Sequence, residues 1–196
     1  MNPKHPGKLP RSFYNRRTLE VLAEIIGKII IYNSPKGMLS ARIVEAEAYI
    51  GQSDPACHAA VGKTERNGVM FGPAGYSYIY FIYGMYHCLN FVTEKKNSPS
   101  AILLRAAEPL SGLEIMRTNS PGKTDKELLN GPGKFCRSFG LTRKQNGLDL
   151  TGNELYLGDD GFIPPRIVKT TRIGIQKAIE LPWRYYEAGS EFISRK

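Results

Sequence analysis

Two glutamates stand two residues apart in RIVEAEAYI, residues 42–50, where they could carry out acid–base chemistry. In a β-strand, alternation places Glu45, Glu47 and Tyr49 on one face, opposite a face of small apolar residues. Neighbours on one strand face lie about 6.6–7 Å apart, a carboxylate separation that suits glycoside hydrolysis. Both would approach a bond from the same side, so we expect one working carboxylate rather than a pair. The alternative is an ordinary half-solvated strand whose glutamates face water.

A second stretch with chemical potential is YSYIYFIYGMYHCLNF, residues 76–91, which holds five of the eleven tyrosines. Alternation places the first three of them on one face, and flat aromatic rings offer nucleobases a stacking surface. Gly84 predicts a hairpin bend, from which Tyr83, Met85 and Tyr86 would project. Apolar or aromatic wedges at such positions can enter a base stack. The alternative is a tyrosine-rich sheet surface or an ordinary protein interface.

Arg105 and the histidines are the other candidates. Arg105 lies within the apolar run AILLRAAEP, where a buried guanidinium needs a carboxylate or phosphate partner. A structural ion pair with Glu108 or Glu114 is the simple interpretation. Three histidines without Cys or Asp at ligand spacing predict no metal site, and a lone loop histidine such as His58 is more often an ordinary surface residue.

The composition favours one basic globular domain. The chain has 196 residues, and 27 Lys and Arg against 18 Asp and Glu give a formal charge of +9. Such an excess indicates a polyanionic partner or merely a basic surface. Three scattered cysteines indicate a reducing compartment, and no apolar run approaches the roughly 18 residues of a membrane span. Residues 1–12 are predicted to form a loosely ordered basic arm.

The elements that must position these side chains are short and of mixed type. Helical spacing after NRR predicts a helix with Asn15 as N-cap, ending at Gly27. Strands are predicted around both candidate stretches, with a long irregular loop over residues 51–75 between them, and loops of this length tend to be functional. A capping box at Thr124–Glu127 and a short helix from Pro132 to Gly140 follow. The pattern indicates one α+β domain with a mostly antiparallel sheet.

Four segments in fixed order, RIVEAEAYIG, YIYFIYGMYHCLN, LLRAAEPLSGLEIMR and LNGPGKFC, resemble the alkyladenine (3-methyladenine) DNA glycosylase family. The likeness covers nearly the whole chain. It implies a single α+β domain over residues 13–196, with a curved, open barrel-like, mostly antiparallel sheet flanked by helices and a protruding β-hairpin.

The resemblance also implies a reaction. Members of the family flip alkylated or deaminated purines, of the 3-methyladenine, hypoxanthine and ethenoadenine class, out of duplex DNA. They then hydrolyse the N-glycosidic bond without a metal, a cofactor or a covalent intermediate, leaving an abasic site. Carried over by motif, Glu47 is the general base that activates water. Arg105 and the backbone carbonyl of Ile173 would hold that water.

The remaining carried-over residues form a pocket and a wedge. The resemblance implies walls of the flipped-base pocket at Tyr49, His58 and Tyr80, with Asn90 disfavouring the amino group of guanine. It implies that Tyr83 fills the gap left by the flipped nucleotide, with Met85 and Tyr86 beside it. We therefore expect a monomer acting on damaged double-stranded DNA, away from membranes. Its location would be cytoplasmic and nucleoid-associated in a bacterium, or nuclear in a eukaryote.

Two other functions fit parts of the pattern. A non-catalytic nucleic-acid-binding module could stack bases on the tyrosines, and a carbohydrate hydrolase could also use aromatic rings and carboxylates. The charge of +9 argues against a neutral glycan as the partner. Binding to DNA, unlike binding to a glycan, would weaken steeply with salt as counterions are released.

Overall fold

A computed structural model describes residues 6–195 of the chain. Within them the helices are α1 (Arg11–Tyr14), α2 (Thr18–Ile25), α3 (Leu113–Asn119), α4 (Asp125–Leu128) and α5 (Pro132–Phe139). The strands are β1 (Gly7–Lys8), β2 (Ile29–Ser34), β3 (Gly37–Ile50), β4 (Ser77–Ile82), β5 (Tyr86–Thr93), β6 (Ser100–Ser111), β7 (Leu155–Asp159), β8 (Ile167–Thr170) and β9 (Arg184–Glu187). Short 3₁₀ helices cover His58–Val61, Gly68–Phe71 and Arg143–Gln145.

One antiparallel sheet contains all nine of these strands and does not close into a barrel. Its order is β1-β7-β2-β3-β6-β5-β4, and β9 joins β3 and carries β8 beyond it. The 14-residue β3 pairs with β6 along most of its length, with β2 over its first half and with β9 at residues 45–47. The predicted single α+β domain with an open antiparallel sheet and flanking helices is confirmed.

The core lies between this sheet and the helices, chiefly α2 and α5. Leu22 and Ile25 of α2 are fully buried, as the helical spacing predicted, and Val21 is fully buried as well. The predicted cap at Asn15 is wrong, because α2 begins at Thr18, whose N–H and hydroxyl both donate to the Glu94 carboxylate. A carboxylate 76 residues away thus satisfies the helix end in place of a local cap.

The later helices follow their local signals. The Thr124–Glu127 capping box forms, and α5 runs from Pro132 to Phe139 before Gly140, whose φ is 70°. Proline at the first helical position and a left-handed glycine after the last are the expected punctuation of a short helix. Both predictions are confirmed.

The N-terminal stretch is integrated into the fold from its seventh residue. Residues 1–5 of the predicted basic arm lie outside the described residues. Gly7 and Lys8 pair with β7, and Leu9 is buried in the core. The prediction of a loosely ordered arm therefore does not hold for residues 7–9, because the edge of β7 offers this segment backbone hydrogen bonds.

Two further findings concern the whole described chain. Cys57, Cys88 and Cys136 are all buried and none forms a disulfide. Across residues 6–195, no helix combines the length and the apolar character needed to cross a bilayer.

Candidate active site

Glu47 lies in β3 with its carboxylate fully buried and held by three donors. The Ile173 N–H donates to Oε1 at 2.7 Å, while the Tyr49 hydroxyl and Arg105 Nη1 donate to Oε2 at 2.9 and 3.2 Å. A carboxylate offers about four lone-pair sites, so one is left for a further donor such as water. The three hydrogen bonds fix the orientation of the Glu47 carboxylate and leave one of its lone-pair sites for another donor.

The protonation equilibrium of Glu47 reflects opposing effects. Burial raises the pKa of this carboxyl above its usual value, and Arg105, the Ile173 N–H and the Tyr49 hydroxyl offset part of that rise. Burial and the neighbouring Glu47 also raise the pKa of Tyr49, so its hydroxyl keeps the proton that it donates. A carboxyl whose pKa lies closer to neutrality is a better general base.

Arg105 on β6 bridges the two glutamates of β3. Its Nη1 contacts Glu47, and its Nε lies 3.4 Å from Glu45 Oε1. The simple interpretation, a pair with Glu108 or Glu114, is wrong. Arg105 instead contacts Glu45 and Glu47, and Glu114 pairs with Arg117 on α3.

Glu45 differs from Glu47 in its partners, which come from β9 and from Ser194. It is fully buried and accepts from Arg184 Nη1 at 2.7 Å, from the Ser194 N–H at 2.6 Å and from the Ser194 hydroxyl at 2.9 Å. The half-solvated strand is thus wrong, because β9 and residues near 194 cover this face. That Glu47 alone is the working carboxylate stays a prediction.

A cavity of about 320 Å³ opens beside Glu47. The three donors to Glu47 belong to residues that line it, and Glu47 lies behind them. The remaining lining is largely aromatic and apolar, and includes His58, Met70, Tyr78, Tyr80, Cys88, Asn90 and Gly174. This volume and lining are typical of a pocket for a flat organic ligand.

His58, Tyr78 and Tyr80 form one wall of the cavity. His58 Nδ1 lies 2.9 Å from the Tyr78 hydroxyl, and its ring meets Tyr80 edge-on with centroids 4.5 Å apart. The loop that carries His58 is held by Asn67, whose Nδ2 donates to the carbonyls of His58 and Gly62 at 2.9 and 2.8 Å. The long loop over residues 51–75 thus supplies a fixed wall.

His58 is expected to remain neutral through the physiological range. Burial, with a smaller effect from Arg66, lowers its pKa to about 4. An NMR titration should place the His58 imidazole transition near this pH, with the signal assigned by its loss in His58→Gln. An unfolded-state pKa of about 6.5 means that the unfolded chain binds the extra proton first, so this group costs stability as pH falls from about 6.5 to 4. A transition near 6.5 in the folded protein would contradict the buried position.

Asn90 faces the same cavity from β5 and is almost completely buried. Its Nδ2 donates to the carbonyls of Tyr78 at 3.0 Å and Cys88 at 3.4 Å. The side-chain amide cannot rotate away from a guest without breaking these bonds. Asn90 therefore presents a rigid surface to whatever enters.

The predicted hairpin bend is present between β4 and β5. Tyr83 and Gly84 have positive φ angles of 55° and 67°, and the Met85 N–H donates to the Ile82 carbonyl at 3.3 Å. Tyr83 and Met85 are 75% and 65% exposed. The Tyr86 ring instead rests on α5, where a Cβ on Gly133 would lie 2.7 Å from it. Tyr83 also lines the cavity, so the hairpin tip stands at its mouth.

A sequence model of methylpurine-DNA glycosylase matches residues 12–191, which include Glu47, its three donors and the residues that line the cavity. The chain belongs to the methylpurine-DNA glycosylase family. It is therefore a hydrolase of the DNA glycosylase type, an enzyme that cleaves N-glycosidic bonds in DNA.

Relatives of similar length support membership of the methylpurine-DNA glycosylase family. A protein of Methanocella arvoryzae is 48% identical over 96% of each chain, and one of Alkaliphilus oremlandii is 47% identical over 96% of this chain and all of its own. A third, of Carboxydothermus hydrogenoformans, is 43% identical over 96% of this chain and 99% of its own. All three carry the name "Putative 3-methyladenine DNA glycosylase". The family resemblance inferred from the four motifs is confirmed.

In this family member, several residues at the site were not singled out from sequence. Asp54 and Arg172 form a buried ion pair next to the cavity wall, and Arg184 and Ser194 hold Glu45. Their partners lie 118 to 149 residues away along the chain, so no local pattern links them. Among residues 6–195, no three His, Cys, Asp or Glu side chains come together as a metal-binding group.

Proposed function

We propose that this protein is a monofunctional glycosylase that removes alkylated or deaminated purines from duplex DNA and leaves an abasic site. The observation that carries the proposal is Glu47, buried and held by three donors behind the wall of an aromatic cavity, with a vacant lone-pair position. A base in a duplex cannot reach such a cavity, so the nucleotide must rotate out of the stack.

Glu47 is proposed as the general base. A water bonded to its remaining lone pair, and also to Arg105 and the Ile173 carbonyl, would lie beside the sugar of a flipped nucleotide. Cleavage of the glycosidic bond builds positive charge on that sugar, and the ionised carboxylate favours this charge while taking the proton from water. In the structure Ile173 contacts Glu47 through its N–H, which leaves its carbonyl available for the role inferred from the motif.

The cavity favours purines that are electron-poor. Alkylation of a ring nitrogen puts a positive charge on the base, and the electron-rich faces of Tyr49 and Tyr80 attract such a ring. A neutral His58 adds no repulsion, since burial keeps its pKa near about 4. Asn90, locked by its two hydrogen bonds, would clash with the amino group of guanine. Damaged bases pair poorly, so they also cost less to extrude.

The hairpin tip is proposed as the wedge that fills the vacated space. Tyr83 is the most exposed of its aromatic residues, and Met85 stands beside it. A bulky residue at positive φ is unusual and costs about 1–2 kcal/mol, which is consistent with a side chain retained for contact with DNA. Tyr86, which rests on Gly133, would brace the tip from behind.

Replacing Tyr83 with Ala should slow base release from paired DNA more than from poorly stacked DNA. Stacking of one base contributes about 1–3 kcal/mol, so we expect a loss of roughly 5- to 100-fold on a duplex and little change on a bulged lesion. Single-turnover rates on the two substrates measure this, with Tyr83→Phe as the control that keeps the ring. Equal losses on both substrates would show that Tyr83 serves the fold rather than flipping.

The function itself is tested by incubating the folded protein with duplexes that contain 3-methyladenine, hypoxanthine or ethenoadenine, and scoring abasic sites. Release of at least one of these bases is expected, with binding that weakens steeply as salt rises. Binding to these duplexes without release of any base would indicate a binding module and would overturn the proposal. We further propose that the protein acts as a monomer where the cell's DNA lies.

A further inference from the structure

A completely buried ion pair joins Asp54 in the long loop to Arg172 after β8. Arg172 Nη1 and Nη2 donate to the two oxygens of Asp54 at 2.6 and 2.9 Å, and neither side chain has any exposed surface. Neither residue lines the cavity. A buried ion pair of this kind is weak evidence for stability, since desolvation offsets most of the attraction, but it does fix an orientation.

The pair joins three segments that meet at Glu47. The Arg172 guanidinium also donates to the Ala48 carbonyl in β3 at 3.0 Å, and it lies over the rings of Tyr49 and Trp183, 4.8 and 5.0 Å from their centroids. Asp54 accepts from the N–H groups of Ile50 at 3.2 Å and Ala56 at 3.0 Å. One planar group thus sets the spacing of β3, the long loop and the segment after β8.

Each of these three segments carries, within four residues of its contact with the ion pair, a residue that lines the cavity beside Glu47. Ile173, next to Arg172, donates its N–H to Glu47 Oε1, and Tyr49, under the guanidinium, donates to Oε2. Four residues after Asp54 comes His58, which also lines the cavity. Two of the three hydrogen bonds to Glu47 therefore come from Tyr49, which contacts Arg172, and from Ile173, which follows Arg172 in the chain.

We propose that the Asp54–Arg172 pair is a positioning device for base excision: it aims the Ile173 N–H and the Tyr49 hydroxyl at Glu47 and sets the separation of the cavity walls. This inference rests on the proposed function of Glu47. Lysine could not replace Arg172, because its ammonium lacks the planar fork that bonds both carboxylate oxygens and lies over aromatic rings.

Asp54→Asn is the central test, since it keeps the shape and removes the charge. We expect the single-turnover excision rate to fall about 10- to 100-fold, because a displacement of about 1 Å at a reacting group has effects of this size. Affinity for DNA with an abasic analogue should change less than about threefold. Loss of the Ile173 N–H bond raises the pKa of Glu47, so the acidic limb of the rate profile should move to higher pH.

Asp160→Asn is the matched control. Arg42 also bonds both oxygens of Asp160, at 3.1 and 2.7 Å, and lies over the ring of Phe162. Arg42 lies on β3 six residues before Ala48, on the order of 20 Å along the strand, and neither Arg42 nor Asp160 lines the cavity. The excision rate and pH profile of Asp160→Asn should match those of the unmodified protein.

A double variant and an amide measurement separate positioning from stability. Asp54→Asn combined with Arg172→Met removes both buried charges. The double variant should therefore regain thermal stability relative to Asp54→Asn, while its excision rate stays low. Recovery of both thermal stability and excision rate would overturn the proposal. Hydrogen exchange at the Ile173 amide should be faster in Asp54→Asn and unchanged in Asp160→Asn, and equal protection in all proteins would also overturn it. The exchange result holds even if the unmodified protein releases no base, an outcome that would count against the proposed function alone.

Discussion

Glu47→Gln is expected to reduce base release by at least about 10²- to 10⁴-fold, the usual contribution of a general base, while affinity for lesion-containing DNA is retained. Glutamine keeps the length of the side chain but cannot accept a proton from water or offset positive charge on the sugar. Single-turnover rates, measured beside equilibrium binding to the same duplex, separate the two effects.

The substitution also has a predictable structural cost. Both oxygens of Glu47 accept from donors, so the amide NH₂ of glutamine must replace an acceptor facing Ile173, Tyr49 or Arg105. A cost of about 1–3 kcal/mol in the free energy of unfolding follows from one unmet buried donor. Glu20→Gln, on an exposed position of α2, is the matched control and should alter neither rate nor stability. A Glu47→Gln rate within tenfold of the unmodified protein would exclude Glu47 as the base.

Glu45→Ala should produce the largest loss of stability, about 3–5 kcal/mol in the free energy of unfolding. Its removal leaves the guanidiniums of Arg184 and Arg105, both nearly buried, without the carboxylate between them, and an uncompensated buried charge costs this much. The Ser194 N–H and hydroxyl lose their acceptor as well. For a chain of this size the midpoint of thermal unfolding should fall by about 10 °C.

Urea unfolding of Glu45→Ala and Glu24→Ala provides the comparison. Glu24 forms an ion pair with Arg16 that is half exposed to solvent, so its loss should cost no more than about 1 kcal/mol. A similarly small change in the free energy of unfolding of both variants would show that Glu45 and its partners do not stabilise the fold to the extent that their burial indicates. Excision by Glu45→Ala should also fall, because Glu47 would be the one carboxylate left beside Arg105.

Local features of this chain could be predicted from sequence, and features made by distant contacts could not. The hairpin at Gly84, the helix from Pro132 and the capping box at Thr124 depend on residues a few positions apart. Alternation correctly placed Glu45 and Glu47 on one face. What distinguishes them is a cluster of partners brought by β9 and Ser194, some 140 residues later.

The roles of site residues depended on resemblance more than on pattern. Tyr49, Tyr80 and Asn90 do face one cavity, but nothing in their spacing shows which tyrosine of the hairpin lines a pocket and which packs elsewhere. Tyr78, to which the resemblance assigned no role, lines the cavity and contacts His58. The missed pair Asp54–Arg172 consists of residues that are common on protein surfaces, so burial was the signal that sequence lacked.

The long separations within the site have a consequence for how this protein fails. Its proposed catalytic carboxylate is held in part from a segment after β8, whereas most of the core is formed by strands β2 to β7 and the helices. Contacts between distant parts of a chain form late in folding and can open without global unfolding. We therefore expect damaged or mildly heated molecules that keep native secondary structure and yet do no repair, so circular dichroism alone would overestimate the active fraction of a preparation.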